Sequence, residues 1–282
     1  MATKRELLLR RHLELSDGGV VAEIFVRGSE PYRTVANGRR RMVVGRPVMV
    51  KAGMDAVEWE GDAEQHMCKL CEVATPVHTM AMQPHLLRMK VVGQSGRMDF
   101  IPDMQLTVDT RFAAQVAAGD PFVHAVRDWK PVAKETVSTL IVEIKDDKDR
   151  RNFDDDYQDK LRLARQVYRG IGWFFVTVML SRDIVSSSID KTIHELFLGR
   201  KTKVAPEDIT ALRAAFANND NQPFSLVQQF LGGGGLGFEK ICALHTRRLI
   251  QVDVAQGMRL GGRVRRVRDG RPIFETPGKY PW

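Results

Sequence analysis

Thr139-Leu140-Ile141-Val142-Glu143-Ile144-Lys145 is the stretch that decides the fold. Side chains alternate across a strand, so Leu140, Val142 and Ile144 share one face while Glu143 and Lys145 share the other. So apolar a run predicts a buried strand, here one that carries two charges. Behind the acidic run Asp154-Asp155-Asp156, residues Tyr157, Leu161, Ala164 and Tyr168 fall at helical spacing, and Gly170 and Gly172 stop the helix. Trp173 to Leu180 reads as the next strand. Strand, helix and strand in this order make a crossover unit, which predicts a mixed α/β sheet flanked by helices.

Upstream, Leu86 to Val92 and Met98 to Val108 read as two strands joined by the turn Gly93-Gln94-Ser95-Gly96. Before them, Met67, Cys68, Cys71 and Ala74 form the apolar stripe of a helix, and Glu64 lies on that stripe. Its carboxylate is therefore expected to face inward. Residues 111–136 are less regular and read as an insertion. Residues 1–50 mix short apolar runs with basic clusters such as Gly38-Arg39-Arg40-Arg41, which predicts an N-terminal arm or edge strand. From Ser186 the pattern changes to short helices near 189–198, 206–217, 224–231 and 237–249, ending in two strand-like pieces, Leu249 to Val254 and Arg263 to Val267. Helices leading into a glycine-turned basic hairpin outline a winged helix. The expected organisation is an arm over 1–50, an α/β catalytic domain over 51–184 and a winged-helix domain over 185–282.

The chain has 282 residues, with 43 Lys+Arg against 35 Asp+Glu, a formal charge of +8. That excess favours a polyanionic partner such as double-stranded DNA. Met1 to Arg11 is charged and lacks the apolar core of a signal peptide, and Trp173 to Leu180 is too short to span a bilayer, so a cytoplasmic protein with no membrane partner is expected. Three cysteines, Cys68, Cys71 and Cys242, suit a reducing compartment.

Cleaving a phosphodiester at neutral pH calls for carboxylates that hold divalent ions and for a cation near the developing charge. Glu143 and Lys145 set a ligand and an ammonium on one strand face, Asp103 supplies a second ligand from an earlier strand, and Glu64 completes the set. Magnesium is the natural ion for all-oxygen ligands, with manganese as a substitute. Asp128-Trp129-Lys130 and Asp146-Asp147-Lys148 repeat the acid-x-Lys pattern without a buried strand before them. Asp99, on the same strand face as Asp103, is a rival ligand; Pro102 beside Asp103 favours the latter. Cys68-x-x-Cys71 lies on the apolar stripe and reads as core, and Gly232 to Gly235 lacks the Gly-Lys-Ser/Thr of a phosphate loop. In the tail, Arg247 and Arg248 close the expected recognition helix, while Arg263, Arg265, Arg266 and Arg268 crowd the wing as expected DNA-phosphate contacts.

Gly61-Asp62-Ala63-Glu64, Thr75-Pro76-Val77, Gln83-Pro84, Ile101-Pro102-Asp103-Met104, Val142-Glu143-Ile144-Lys145 and Trp173-Phe174-Phe175-Val176-Thr177 together resemble the nuclease domain of TnsA-type transposon endonucleases. The likeness covers most of the chain through short, divergent motifs. It implies a restriction-endonuclease-like PD-(D/E)xK fold with catalytic roles for Glu64, Asp103 and Lys145, Glu143 as an intervening ligand, and the Ile144 carbonyl as a further donor. It also implies cutting at transposon ends beside a DDE-type transposase and an AAA+ ATPase. The roughly forty residues between Asp103 and Glu143 depart from the family's shorter spacing. A restriction, repair or junction nuclease on the same fold, or an inactive DNA-binding assembly protein, are the alternatives the sequence leaves open.

Overall fold

The computed structural model describes residues 8–14, 19–28, 30–34 and 43–267. The strand Val137–Lys145 lies inside a four-stranded sheet, antiparallel to Met104–Asp109 on one side and parallel to Phe174–Met179 on the other, with Val77–Met82 beyond Met104–Asp109. The architecture is thus mixed α/β. A parallel pair needs a crossover, supplied by the helix Asp155–Gly170. Asp154 caps it by accepting the Tyr157 N–H, and Asp155 and Asp156 meet the positive end of the helix dipole.

The alternation along Val137–Lys145 separates two cores. Leu140, Val142 and Ile144 pack into the larger one with Met67, Cys68, Leu70 and Cys71 of the helix Asp62–Val73. Ile141 faces the smaller one with Leu161, Ala164, Val167 and Tyr168 of the crossover helix. Glu143 and Lys145 follow Ile141 on that second face. The smaller core is closed by a second sheet, Leu8–Glu14, Val20–Arg27, Leu86–Val91 and Met98–Phe100, antiparallel throughout. Residues expected as an arm therefore include an inner strand, since Val20, Ala22, Ile24 and Val26 are buried there.

Two expectations are corrected. The strand expected over Met98 to Val108 is broken at Ile101–Asp103, and its halves belong to different sheets. Pro102 lacks the N–H a ladder needs, so the chain changes sheet there. Residues 111–136 are no irregular insertion either. They contain much of the helices Thr110–Ala117 and Phe122–Asp128, which bury Phe112, Val116, Phe122 and Val126 in the larger core, with the Phe112 and Phe122 rings edge to face at 5.0 Å.

The C-terminal part holds the helices Asp190–Gly199, Pro206–Ala215, Phe224–Phe230 and Gly234–Thr246 with a three-stranded sheet of Asn221–Pro223, Arg263–Arg266 and Ile250–Val252. Its Leu196, Leu212, Ile241, Leu244 and Val264 lie in the same core as Met67 and Val142, so the packing is unbroken across the expected boundary near residue 185. Polar groups stitch the junction. Val252 N–H donates to His245 Nδ1 at 3.0 Å, which leaves Nε2 protonated to donate to the Val73 carbonyl at 2.7 Å.

Burial pushes the His245 pKa down to about 3, and burial likewise brings His85 down to about 3. Both are neutral in the folded chain and take up a proton near pH 6.5 only when it unfolds. Their contribution to stability is whole above that value and is lost as pH falls toward 3, at about 1.4 kcal/mol per pH unit for each histidine. Thermal unfolding followed between pH 7 and 5 should show a falling midpoint, and replacing both histidines by glutamine should flatten their part of that slope.

Candidate active site

The break at Pro102 sets Asp103 at the corner between the sheets, one residue before Met104 pairs with Val142. That places it beside Glu143. The Ile144 N–H donates to Asp103 Oδ2 at 2.8 Å, and the Gln83 N–H holds the Asp103 carbonyl at 2.9 Å. Burial, and then the Glu143 and Glu64 charges, push the Asp103 carboxyl well above the usual carboxylate range.

Glu143 is 4% exposed and Lys145 1%. Lys145 Nζ donates to Glu143 Oε1 at 2.7 Å, approaches the Tyr157 hydroxyl at 2.5 Å and stands 3.8 Å from Asp149. Tyr157 donates to the same Glu143 oxygen. Burial and the adjacent Glu143 charge raise the Tyr157 pKa, which keeps the phenol protonated as a donor. The other Glu143 oxygen, Oε2, is buried with no hydrogen-bond partner among the described residues. A buried carboxylate oxygen seldom stays unpartnered without a use for it.

Glu64 sits in the first turn of the helix Asp62–Val73 and accepts the Glu60 N–H at 2.9 Å. Burial is the main reason its pKa is pushed up to about 7, and the Glu60 and Glu143 charges add to it. The structure thus brings Glu64, Asp103, Glu143 and Lys145 into one electrostatic neighbourhood. It adds Tyr157, which had marked only the helix period; its place behind the acidic N-cap and one helix turn before Leu161 was the available signal.

Asp99 lines the same cleft as Asp103 and Glu143 but is already engaged. It pairs across the hairpin with Arg88, through bonds of 2.9 and 3.1 Å, and this partner holds its carboxyl below the usual range. Asp128 is likewise paired with Arg127, and Asp146 and Lys148 are exposed. A cleft of about 430 Å³ opens over Asp103, Glu143 and Tyr157, with Arg33, Arg88, Arg151 and Lys160 around it. Two of these cations are paired, Arg88 with Asp99 and Arg151 with Asp149, and Arg33 and Lys160 form no ion pair among the described residues.

Oxygen donors of this kind suit magnesium or manganese. The unsatisfied Glu143 oxygen fits an ion at this place. Among the described residues, though, no three His, Cys, Asp or Glu side chains stand together as a ready metal cluster. One oxygen of each acid is spent on the protein, Glu64 on Glu60, Asp103 on Ile144 and Glu143 on Lys145. Cys68 and Cys71 are core residues whose thiols point at the sulfurs of Met82 and Met104.

The basic tail is arranged differently from the expectation. Arg248, in a left-handed backbone conformation at φ 60°, turns inward and is 1% exposed. It donates to the Thr75 carbonyl at 2.6 Å, to His78 at 2.8 Å and to Glu135 at 2.5 Å. Arg247 donates to the Arg200 and Ala243 carbonyls. Arg248 thus ties the two parts of the chain together and is not positioned to meet a duplex, whereas Arg247 is half-buried and bonds only within the C-terminal part. Arg265 pairs with Asp253 at 3.1 Å, while Arg263 is half-buried and Arg266 exposed. Arg268 lies outside the described residues. Among the described residues no helix is long and apolar enough to cross a membrane. Neither a protein-family model nor a characterised protein matches this chain.

Proposed function

We propose that this chain is a metal-dependent DNA endonuclease with a restriction-endonuclease-like catalytic part and a winged-helix C-terminal part. The observation that carries this reading is the buried, unpartnered Oε2 of Glu143, set beside Asp103 and Lys145 under a basic cleft. In it, Glu64, Asp103 and Glu143, with the Ile144 carbonyl, would hold Mg2+, or Mn2+ in its place. The ion supplies Lewis-acid polarisation of the scissile phosphate and an activated water.

The chain's own residues do the rest. Arg33, Arg88, Arg151 and Lys160 hold the DNA backbone over the acids. Lys145 keeps positive charge beside the phosphoryl oxygens as charge builds on them. Tyr157 and Asp149 hold that lysine in place from behind. The resemblance to TnsA-type endonucleases extends the proposal to cutting at transposon ends, in the cytoplasm, as the nuclease subunit beside a DDE-type transposase and an AAA+ ATPase.

A second reading, an inactive DNA-binding assembly protein, draws on one observation, that no ready cluster of metal ligands stands among the described residues. Supercoiled plasmid separates the two. Nicking in Mg2+ or Mn2+ that stops with a chelator supports the nuclease; binding without nicking, with purified transposase and ATPase also present, supports the assembly protein.

The cleft makes its own prediction. Lys160→Glu lies outside the acidic floor, so it should weaken DNA binding across all sequences and lower the salt slope of log K by about one or more. Titrations of a labelled duplex at several salt concentrations measure both.

A further inference from the structure

The two edges of the central sheet are treated differently. Along Val77–Met82, the Met80 N–H donates to the Lys51 carbonyl at 3.0 Å, so that edge is covered by another part of the chain. Phe174–Met179 forms the opposite edge, with Val137–Lys145 on its inner side and no strand on its outer side among the described residues. Its sequence, Phe-Phe-Val-Thr-Val-Met, has no charge and no proline, and no bulge interrupts its pairing. Proteins usually blunt an exposed edge with such devices, because its outward N–H and C=O groups invite another strand.

A groove of about 630 Å³ runs along this edge. The helix Thr110–Ala117 borders one side with the exposed Ala117, behind which Val116 and Phe122 are buried in the larger core, and Arg165 and Arg169 of the crossover helix line the other. Both arginines are exposed and neither forms an ion pair among the described residues; Arg165 stands 5.6 Å over the Phe175 ring. The acids at the groove are already engaged. Asp183 accepts the Met179 N–H at 2.7 Å and pairs with Arg182, and Asp120 accepts from Gln115. The Met179–Asp183 bond therefore closes one end of the open edge.

We propose that this groove receives an extended acidic peptide segment of a partner protein, which adds to the central sheet as a fifth strand along Phe174–Val178. Strand addition uses the peptide backbone for affinity and alternate side chains for selection. Here one face of the peptide meets Ala117 and the half-buried Phe174, and its acidic face meets Arg165 and Arg169. A second copy of this chain fits less well, since edge-to-edge pairing about a twofold axis would turn the same arginines toward each other. A nucleic acid would use the arginines but not the strand's backbone groups. The groove shares no residue with the cleft over Asp103, so the proposal stands apart from the nuclease reading.

The test is a random-peptide display selection on the full chain, run in parallel on an Arg165→Glu/Arg169→Glu variant, whose substitutions lie on an exposed helix face. The expected winners alternate acidic with apolar residues and bind the variant at least about tenfold more weakly. They should lose binding when alternate backbone nitrogens are methylated, and they should slow amide exchange over 174–178. Three results would overturn the proposal. One is winners indifferent to both the arginines and N-methylation. Another is a selection that yields no winner dependent on the arginines while duplex DNA binding falls in the variant. The third is a wild-type dimer, absent in the variant, that protects the same strand.

Discussion

Asp103→Asn should abolish cleavage and at the same time make the protein harder to unfold. The catalytic half follows from position. Asp103 adjoins the open oxygen of Glu143, and its amide replacement keeps size and shape while removing the charge that an ion requires. Loss of one such ligand should cost at least about a hundredfold in rate, read from plasmid nicking under saturating Mn2+. The stability half follows from linkage. Burial and two neighbouring acids raise the Asp103 pKa in the folded chain. A group of this kind favours folding below its unfolded pKa and loses that contribution as pH rises through the folded value. Above its unfolded pKa the acid therefore opposes folding, either by holding charge in the interior or by taking up a proton to fold, and the amide removes the opposition. A higher thermal midpoint in chelator, together with lost nicking, is the expected pair of results. A lower midpoint would mean that Asp103 is a structural acid whose charge the fold needs.

Arg248→Ala should produce the largest loss of stability of any single arginine substitution in the tail. The side chain is 1% exposed, and its removal strands the Glu135 carboxylate, itself 4% exposed, beside a His78 that burial disposes toward the neutral form. Breaking a buried pair from one side costs about 3–5 kcal/mol. The Thr75 carbonyl also loses its donor. Urea unfolding should show this loss in Arg248→Ala and little change in Arg266→Ala, whose side chain is exposed. Equal stability of the two would remove the argument that Arg248 joins the two parts of the chain.

Much of this arrangement was legible in the sequence because it rests on strict periodicities. Alternation placed Glu143 and Lys145 on one face of a buried strand, and helical spacing placed Tyr157, Leu161 and Tyr168 on the crossover helix. Proline chemistry favoured Asp103 over Asp99; both acids line the cleft, Asp99 paired with Arg88 and Asp103 bonded to the Ile144 N–H. Other features depend on contacts that no local pattern encodes. Residues 111–136 looked irregular because their two helices are short, so the apolar stripes Phe112, Ala113, Val116 and Phe122, Val123, Ala125, Val126 each run for only about two turns, too little to establish a period. Arg248 looked like a DNA contact because a basic pair at a helix end reads the same whether it faces solvent or a buried glutamate more than a hundred residues away. For Tyr157 the only signal was its place behind the acidic N-cap, since a tyrosine on an apolar stripe is ordinarily counted as core.

The central claim is that Lys145 and the acids around it form a phosphodiester-cleaving site. Lys145→Ala leaves Glu64, Asp103 and Glu143 in place, so a time course of plasmid nicking by wild type and this variant, purified alike in Mn2+, tests it most directly. The prediction is steady nicking by wild type that stops with chelator and falls at least about a hundredfold in the variant. Equal rates in the two proteins would contradict it, as would a wild type that binds the plasmid and leaves it intact.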